Sequence, residues 1–322
     1  MKQRLLSGVK PTGDLHIGNY FGAMKRFAEL QNQYECFIFI ADYHALNQIY
    51  NPSQLAHYTL EAAKAYLAIG LDPKKVVLFK QSDIPPVTEL AWILNCITSI
   101  GLLKRAHAYK DAIAKKKPVN MGLFCYPVLM AADILIYKSN VVPVGQDQSQ
   151  HIEMTREIAR RFNHLFGRTF VIPQGLIKNN VAVVKGLDGR KMSKSYKNTI
   201  ELFESEETTA KKVMSIVTDS RPPEEPKDPE TCNIFALHKL FSQKDLSSIA
   251  KRYREGKISY KESKEILARN INDYLRPIRK RKRELDRNPD YVLKILEKGK
   301  KKALEVASQT LKEVKKRIGV IG

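Results

Sequence analysis

Ser7 to Asn19 reads Ser-Gly-Val-Lys-Pro-Thr-Gly-Asp-Leu-His-Ile-Gly-Asn, and this stretch decides the fold of the chain. Leu5 and Leu6 before it are typical of the end of a short strand, and Phe21 to Leu30 after it has apolar residues at helical spacing. The pattern predicts a strand-to-helix turn, whose amides can hold an anion. Taken alone, it is equally compatible with a glycine-rich turn that carries an incidental histidine.

Several residues of this stretch suit the binding of a phosphate group. Gly8 and Gly13 allow the backbone to approach a ligand closely. Asn19 can cap the helix whose first amides face the anion. Lys10 and His16 add side chains that can reach a phosphoryl oxygen. These residue types together favour a nucleotide-binding turn.

A second basic stretch lies far downstream, from Gly189 to Ser195, and reads Gly-Arg-Lys-Met-Ser-Lys-Ser. Lys191 and Lys194, three residues apart and flanked by glycine and serines, form a cationic loop suited to the charge on a transferring phosphoryl group. By itself the loop is more typical of a solvated basic turn. The two stretches together strengthen the nucleotide-binding interpretation.

Their order and separation resemble the paired signatures of class I aminoacyl-tRNA synthetases. Within that class, two further segments resemble tryptophanyl-tRNA synthetases: Gly145 to His151 (Gly-Gln-Asp-Gln-Ser-Gln-His) and Met130 to Tyr137 (Met-Ala-Ala-Asp-Ile-Leu-Ile-Tyr). The resemblance covers nearly the whole chain. It implies that ATP, brought with Mg²⁺, activates L-tryptophan, that the acyl group passes to the 3′-terminal adenosine of tRNA(Trp), and that the enzyme is a homodimer.

The composition fits a globular protein with a polyanionic partner. The 322 residues are 43% hydrophobic and carry a formal net charge of +21, which favours nucleic acid or an anionic membrane surface as partner. No run of eighteen apolar residues and no signal peptide occur, so we expect a cytoplasmic protein without a membrane association. The four cysteines are widely spaced and predict no protein-held metal.

Alternating apolar runs and helix-period segments predict an α/β fold, a doubly wound parallel (Rossmann-type) nucleotide-binding sheet with a second, smaller α-helical domain. The predicted strands are Cys36 to Ala41, Val76 to Lys80, Val141 to Val144 and Phe170 to Ile172. The predicted helices of this half are Gln54 to Ile69, Val87 to Ser99, Pro127 to Tyr137 and Gln148 to His164. Lys104 to Lys117 reads as a mobile basic connection, one lysine of which is expected to reach the triphosphate.

The chain divides after the second basic stretch. Residues 1–195 are predicted to form the catalytic domain, and residues 196–289 a helical domain that, by resemblance, binds the anticodon. Ser220 to Glu230 is a proline- and charge-rich connection. Arg276 to Arg287 is a basic helix, part of which must face a polyanion or water. By resemblance, the final helix, about 290–322, packs back on the catalytic domain.

Asp133 stands inside an apolar helical run. A carboxylate is expensive to bury there unless it accepts hydrogen bonds. It can pair with a neighbour, face water, or accept the N–H of a ligand such as an indole. An apolar pocket with Asp133 at one end suits an indole and would be lined by Leu6, Met130, Val142 and Val144.

The resemblance assigns the remaining roles, with Tyr126 and Gln148 reaching the ammonium group of tryptophan. The residues expected in catalysis are Lys10, His16, Asn19, Lys191 and Lys194. Those expected to bind ATP are Gly8, Lys10, Thr12, Gly13, His16, Gly18, Asn19, Gly145, Asp147, Lys191, Met192, Ser193, Lys194 and Ser195. Those expected to bind tryptophan are Leu6, Gly8, His44, Tyr126, Met130, Asp133, Val142, Val144 and Gln148.

Two alternatives stay open from the sequence. A tyrosyl-tRNA synthetase has similar signatures, although its site needs polar partners for a phenolic hydroxyl. A non-catalytic tRNA-binding paralogue would explain the charge, although it would have no use for Lys191 and Lys194. The chain also departs from common family patterns, because Asn19 replaces a second histidine and Lys10 stands where many bacterial members have glutamine.

Overall fold

The computed structural model describes residues 2–145, 148–177 and 184–322. Its centre is a five-stranded, all-parallel sheet in the order β3-β2-β1-β4-β5. The strands are β1 (Arg4–Val9), β2 (Glu35–Ile40), β3 (Val76–Lys80), β4 (Val141–Val144) and β5 (Gln174–Ile177). Strand order reverses between β1 and β4, and ligands of such sheets bind in the crevice beyond the carboxyl ends at that point. The predicted α/β doubly wound class is confirmed.

The helices of the sheet half lie on both faces of the sheet. They are α1 (Ile17–Asn19), α2 (Lys25–Leu30), α3 (Asp42–Ala45), α4 (Pro52–Ala68), α5 (Pro85–Ile97), α6 (Ile100–Lys104), α7 (His107–Ala114), α8 (Met121–Ile136) and α9 (Ser149–Phe166). A π-helical turn, Tyr20–Met24, joins α1 to α2. Leu5 faces one apolar layer and Leu6 the other, because successive strand side chains alternate.

The second half is helical, and no sheet strand follows β5 in the part of the chain that the structure describes. Its helices are α10 (Glu206–Met214), α11 (Asn233–Phe241), α12 (Leu246–Arg254), α13 (Tyr260–Arg287) and α14 (Pro289–Arg317). The last of these returns to the sheet and covers β3, where a Cβ added to Gly299 would lie 1.8 Å from Leu78 O. Only a glycine lets α14 approach this backbone so closely.

The predicted strand Phe170 to Ile172 is wrong. The side chain of Asn163 on α9 forms hydrogen bonds with the backbone of this segment. It accepts from the N–H groups of Thr169 and Phe170 and donates to Phe170 O. The Phe170 ring is buried against Phe162 rather than placed in a ladder. The fifth strand follows instead at Gln174–Ile177, whose sequence lacks an apolar run.

The predicted mobile connection at Lys104 to Lys117 is also wrong, because α6 ends and α7 lies within it. Ala112 is buried and Tyr109 packs edge-on against Phe124, which fixes α7 to α8. The basic side chains of the segment are exposed, as a solvated face requires. Helix α8 begins six residues before the predicted Pro127, capped by Asn120, whose side chain accepts the Leu123 N–H.

Part of the basic stretch in α13 is internal. Arg279 is 4% exposed and donates to Leu202 O, Asn272 Oδ1 and Thr209 Oγ1. Lys282 is 7% exposed and pairs with Glu61 of α4. Lys282 therefore joins the helical half to the sheet half. Arg279 instead joins α13 to other segments of the helical half. Among residues 2–145, 148–177 and 184–322, no helix is both long and apolar enough to cross a membrane.

Candidate active site

The turn after β1 requires its glycines. A Cβ on Gly8 would lie 2.7 Å from Phe39 O and 2.9 Å from the Phe39 ring, so only glycine fits beside β2. Gly13 has φ +110°, a left-handed conformation that side chains disfavour. Both glycines lie where β1 gives way to α1, at the carboxyl edge of the sheet. The predicted strand-to-helix turn is confirmed.

His16 begins the short helix α1 from a buried position. The backbone N–H of His16 donates to Asn19 Oδ1 at 3.1 Å, so Asn19 closes the first turn of the helix. The imidazole lies over Gly18, where an added Cβ would come within 2.8 Å of Nδ1. Burial, and after it the charge of Lys194, lower the pKa of His16 to about 4. The ring is therefore neutral near pH 7.

The second basic stretch is a short hairpin held against the turn. Lys191 bridges Lys185 in antiparallel fashion, and Met192 N donates to Val184 O. Ser193 N donates to Asn198 Oδ1, which closes the loop around Ser195. Met192 is buried beneath it, whereas the Lys191 side chain and Ser195 are exposed.

Lys194 joins the two signature stretches. Its Nζ donates to Thr12 O at 2.9 Å across 182 residues of sequence and lies 3.4 Å from the position of a Cβ on Gly13. Burial lowers the pKa of Lys194, while the charges of Glu201 and Asp14 act in the opposite direction. An ammonium thus stands directly over the glycine turn, as phosphate chemistry requires.

Asp133 lies on α8 against the sheet face that carries Leu6. It is 3% exposed, and burial raises its pKa against the opposing effect of His44. Both carboxylate oxygens accept from Gln81 Nε2 at 2.9 Å, and His44 Nε2 lies 2.9 Å from Oδ2. Of the three alternatives for Asp133, the structure shows hydrogen bonding to neighbouring side chains. A carboxylate has about four acceptor positions, so room for one further donor remains.

The predicted apolar lining shares one face. Leu6, Val142 and Val144 are buried in the same apolar layer, and Met130 packs against it. This layer borders Asp133 through α8, because α8 covers the face of β1 and β4. The structure therefore brings an apolar wall and a buried acceptor to the reversal point of the sheet.

Tyr126 of α8 lies near both His44, a partner of Asp133, and Lys10 of the glycine turn. Tyr126 Oη is hydrogen-bonded to His151 Nε2, and the Tyr126 ring packs edge-on against His44. Lys10 Nζ lies 6.0 Å from the centre of the Tyr126 ring. Lys10 is exposed, and desolvation by the neighbouring protein lowers the pKa of its ammonium group.

Three predicted positions flank α9. Gln148 is exposed at the start of the helix, and its N–H donates to the O of Gly145, which is exposed at the end of β4. Asp147 lies outside the described residues. Sequence reasoning missed Gln81 and His151 as partners of the site. Gln81 could have been found as a polar residue that directly follows β3, while His151 was part of a recognised segment without an assigned role.

The sequence profile of the family described as tRNA synthetases class I (W and Y) matches residues 1–276. The chain belongs to this family. The synthetase is 49% identical over 322 residues to the tryptophan–tRNA ligase of Fusobacterium nucleatum, covering 99% of each chain. It is 46% identical to that of Campylobacter jejuni, covering 98% of this chain and 100% of the relative.

The fold of the synthetase also matches a solved structure along its length. The crystal structure of tryptophanyl-tRNA synthetase from Campylobacter jejuni complexed with ADP and tryptophan superposes with a TM-score of 0.93 at 45% identity, covering 98% of this chain and 100% of the other. This agreement includes the helical half, because the matched length extends well beyond the sheet.

Proposed function

We propose that this synthetase activates L-tryptophan with ATP and transfers it to the 3′-terminal adenosine of tRNA(Trp). The observation that carries the proposal is the hydrogen bond from Lys194 Nζ to Thr12 O, which assembles both signature stretches over one crevice. The full-length similarity to tryptophan–tRNA ligases supports the choice of amino acid.

The first step is an in-line displacement at phosphorus. The tryptophan carboxylate oxygen forms a bond to the α-phosphorus of ATP, and the bond to the β-phosphate oxygen breaks, which releases pyrophosphate. Lys194 and Lys191 balance the charge on the departing pyrophosphate, and the loop of Met192, Ser193 and Ser195 carries them. No covalent enzyme intermediate is needed, so positioning supplies the catalysis.

The glycine turn holds the rest of the nucleotide. Gly8, Gly13 and Gly18 have no side chains that would meet Phe39, Lys194 and His16, so these groups pack closely on the turn. His16 offers a neutral imidazole as a hydrogen-bond donor. Asn19 fixes this histidine from the first turn of α1. Further contacts to ATP are assigned to Lys10, Thr12, Gly145 and Asp147. Mg²⁺ enters as part of the substrate Mg-ATP, whose phosphates it shields.

Tryptophan lies with its indole on the wall of Leu6, Met130, Val142 and Val144. Asp133 accepts the indole N–H while His44 and Gln81 hold the carboxylate in place. Tyr126 and Gln148 face the ammonium group, and Gly8 admits the substrate backbone. A buried acceptor of this kind rejects amino acids that lack the N–H, because the carboxylate would be left one partner short.

The second step transfers the acyl group. The terminal 2′-hydroxyl of the tRNA, by family precedent, attacks the carbonyl carbon, and AMP leaves with the electrons of the acyl–phosphate bond. We assign residues 1–195 and the returning α14 to catalysis, and residues 196–289 to the anticodon. The exposed cations Arg281, Arg283 and Arg287 on α13 fit a phosphate backbone. The cytoplasm, where translation occurs, is the expected location.

A homodimer is part of the same proposal. Trp92 on α5 is 71% exposed, and exposed Cys96 follows it by one helical turn; Ile100, which begins α6, is 63% exposed. Exposed apolar residues that form a contiguous patch are typical of an interface between proteins. Sedimentation of Trp92→Glu should yield monomers where the natural chain yields dimers, and dimeric Trp92→Glu would exclude this surface.

ATP–pyrophosphate exchange tests the proposed reaction. Exchange should depend on tryptophan and fail with tyrosine or phenylalanine. Lys194→Ala should lower the exchange rate about 10²- to 10³-fold, because one charge-stabilising donor is lost. Lys197→Ala is the matched control, since this exposed lysine follows the loop, and it should leave the rate unchanged. Exchange with tyrosine would favour the tyrosyl alternative, and no exchange with any amino acid would favour a tRNA-binding paralogue.

A further inference from the structure

Glu201 stands beside the signature turn with half of its carboxylate unpaired. Thr199 Oγ1 donates to Oε1 at 2.5 Å, whereas Oε2 is buried and has no hydrogen-bond partner in the part of the chain that the structure describes. A buried acceptor without a partner is costly, so its retention calls for a functional explanation. None of the proposed roles in tryptophan activation uses this residue.

The backbone fixes where Glu201 lies. His16 and Glu201 face each other in an antiparallel bridge, flanked by hydrogen bonds from Ile17 N to Ile200 O and from Leu202 N to Leu15 O. Opposed residues in such a bridge have side chains on the same face, with Cβ atoms about 5 Å apart. The carboxylate is therefore adjacent to the imidazole that the proposed function places at the triphosphate.

Lys194 is the cation that the negative charge of Glu201 stabilises. The negative charges of Glu201 and Asp14 both stabilise the Lys194 ammonium, which bonds to Thr12 O. The next acid along the chain, Glu204, is already paired with Lys212 at 2.5 Å and accepts from Thr209. Burial raises the pKa of Glu201, and the charge of Lys212 acts in the opposite direction. Within residues 2–145, 148–177 and 184–322 the Glu201 carboxylate forms no salt bridge, and it lies near a lysine that must serve a polyanion.

We propose that Glu201 is a positioning residue that attracts Lys194 towards the Thr12 carbonyl and competes with ATP for this ammonium. The inference rests on the proposed function, since it assigns Lys194 to the phosphates. When ATP binds, Lys194 turns to the triphosphate and gives up part of its attraction to Glu201. When pyrophosphate leaves, the same attraction returns the loop to its resting position.

The competition predicts an unusual sign for a mutation near an active site. Neutralising Glu201 removes the competitor, so ATP should bind more tightly rather than less. Because the pair is partly open to solvent, the expected gain is modest, about three- to tenfold in Kd, or about 0.7–1.4 kcal/mol. A residue with only a structural role would weaken binding or leave it unchanged.

The experiment measures the Kd of Mg-ATP without amino acid, by equilibrium dialysis, in a double-mutant cycle. Glu201→Gln should tighten binding about three- to tenfold, and Glu201→Ala should do the same if the amide disturbs the fold. In a Lys194→Met background the gain should fall below about twofold, because the lysine carries the coupling. Glu207→Gln is the matched control, an exposed acid paired with Lys211 away from the loop.

The outcomes separate the two claims. Unchanged or weaker ATP binding in Glu201→Gln and Glu201→Ala overturns the inference. An equal gain with and without Lys194 also overturns it, since the glutamate would then act on ATP directly. Tryptophan-dependent pyrophosphate exchange by the natural chain is measured in parallel, and its failure contradicts the proposed function whatever the value of Kd.

Discussion

Replacement of Asp133 by asparagine tests the amino-acid pocket. The side chain keeps its size but loses its charge and one of its two acceptor oxygens. Gln81 Nε2 now donates to both oxygens at 2.9 Å, and His44 Nε2 lies 2.9 Å from Oδ2. The new amide N–H group must therefore face at least one of these donors. A buried donor left unpaired costs about 1–3 kcal/mol, so a loss of stability of this size is expected.

Loss of the charged acceptor should weaken the binding of tryptophan, which carries an indole N–H, more than the binding of an analogue without this group. A hydrogen bond to a charged group contributes about 1.5–3 kcal/mol, which corresponds to about a 10- to 150-fold rise in KM for tryptophan. Benzothienylalanine has sulfur in place of the indole N–H and gains nothing from Asp133. The preference for tryptophan over this analogue should shrink to about threefold or less in Asp133→Asn.

The assay is pyrophosphate exchange with each amino acid, accompanied by thermal unfolding. Asp42→Asn is the matched control, because Asp42 is also a buried carboxylate, accepting from Ser82 Oγ and Ser82 N. It should lose comparable stability and keep the preference for tryptophan. If Asp133→Asn retains the full preference over the sulfur analogue, the carboxylate does not accept the indole N–H and the pocket has been assigned wrongly.

Three further predictions follow from close contacts and from burial. Gly18→Ala should raise KM for ATP about tenfold or more, because its Cβ would meet His16 Nδ1 at 2.8 Å, whereas Gly22→Ala has nothing within 4 Å and should not. Thermal unfolding should show a loss of about 3 kcal/mol or more for Gly299→Ala, since its Cβ overlaps the β3 backbone, and little change for the open Gly101→Ala. NMR should show no titration of His16 between pH 5.5 and 8. Its folded pKa of about 4 lies below the ordinary 6.5, so its stabilising effect is complete above 6.5 and is lost as the pH falls through 4.

Local pattern was sufficient for the centre of the fold. Val76–Lys80 and Val141–Val144 were predicted with the bounds that the structure has, because buried parallel strands read as short apolar runs. The last strand, Gln174–Ile177, escaped prediction because it pairs on one side only and has polar and glycine residues at its start. A strand was predicted at Phe170 instead because this residue is apolar, but its side chain packs in the core outside the sheet.

Site residues could be predicted where their type and local sequence indicate a role. They could not be predicted where the role depends on contacts between distant parts of the chain. Gly8 and Asp133 stand out by residue type and setting. Gln81 pairs with Asp133 across 52 residues, and no local pattern encodes that distance. Arg279 is internal although a run of cations suggests surface, because polar acceptors from two other segments converge on it. No sequence pattern indicates a role for Glu201, and only the fold places it opposite His16.

The measurement that tests the central claim most directly is aminoacylation of total bacterial tRNA with labelled tryptophan and, separately, labelled tyrosine. We expect that tryptophan is attached to tRNA(Trp) alone, that tyrosine is not attached to any tRNA, and that Lys194→Ala lowers the rate of charging about 10²-fold or more while Lys197→Ala leaves it unchanged. Attachment of tyrosine to tRNA(Tyr), or tRNA binding without attachment of tryptophan, would contradict it.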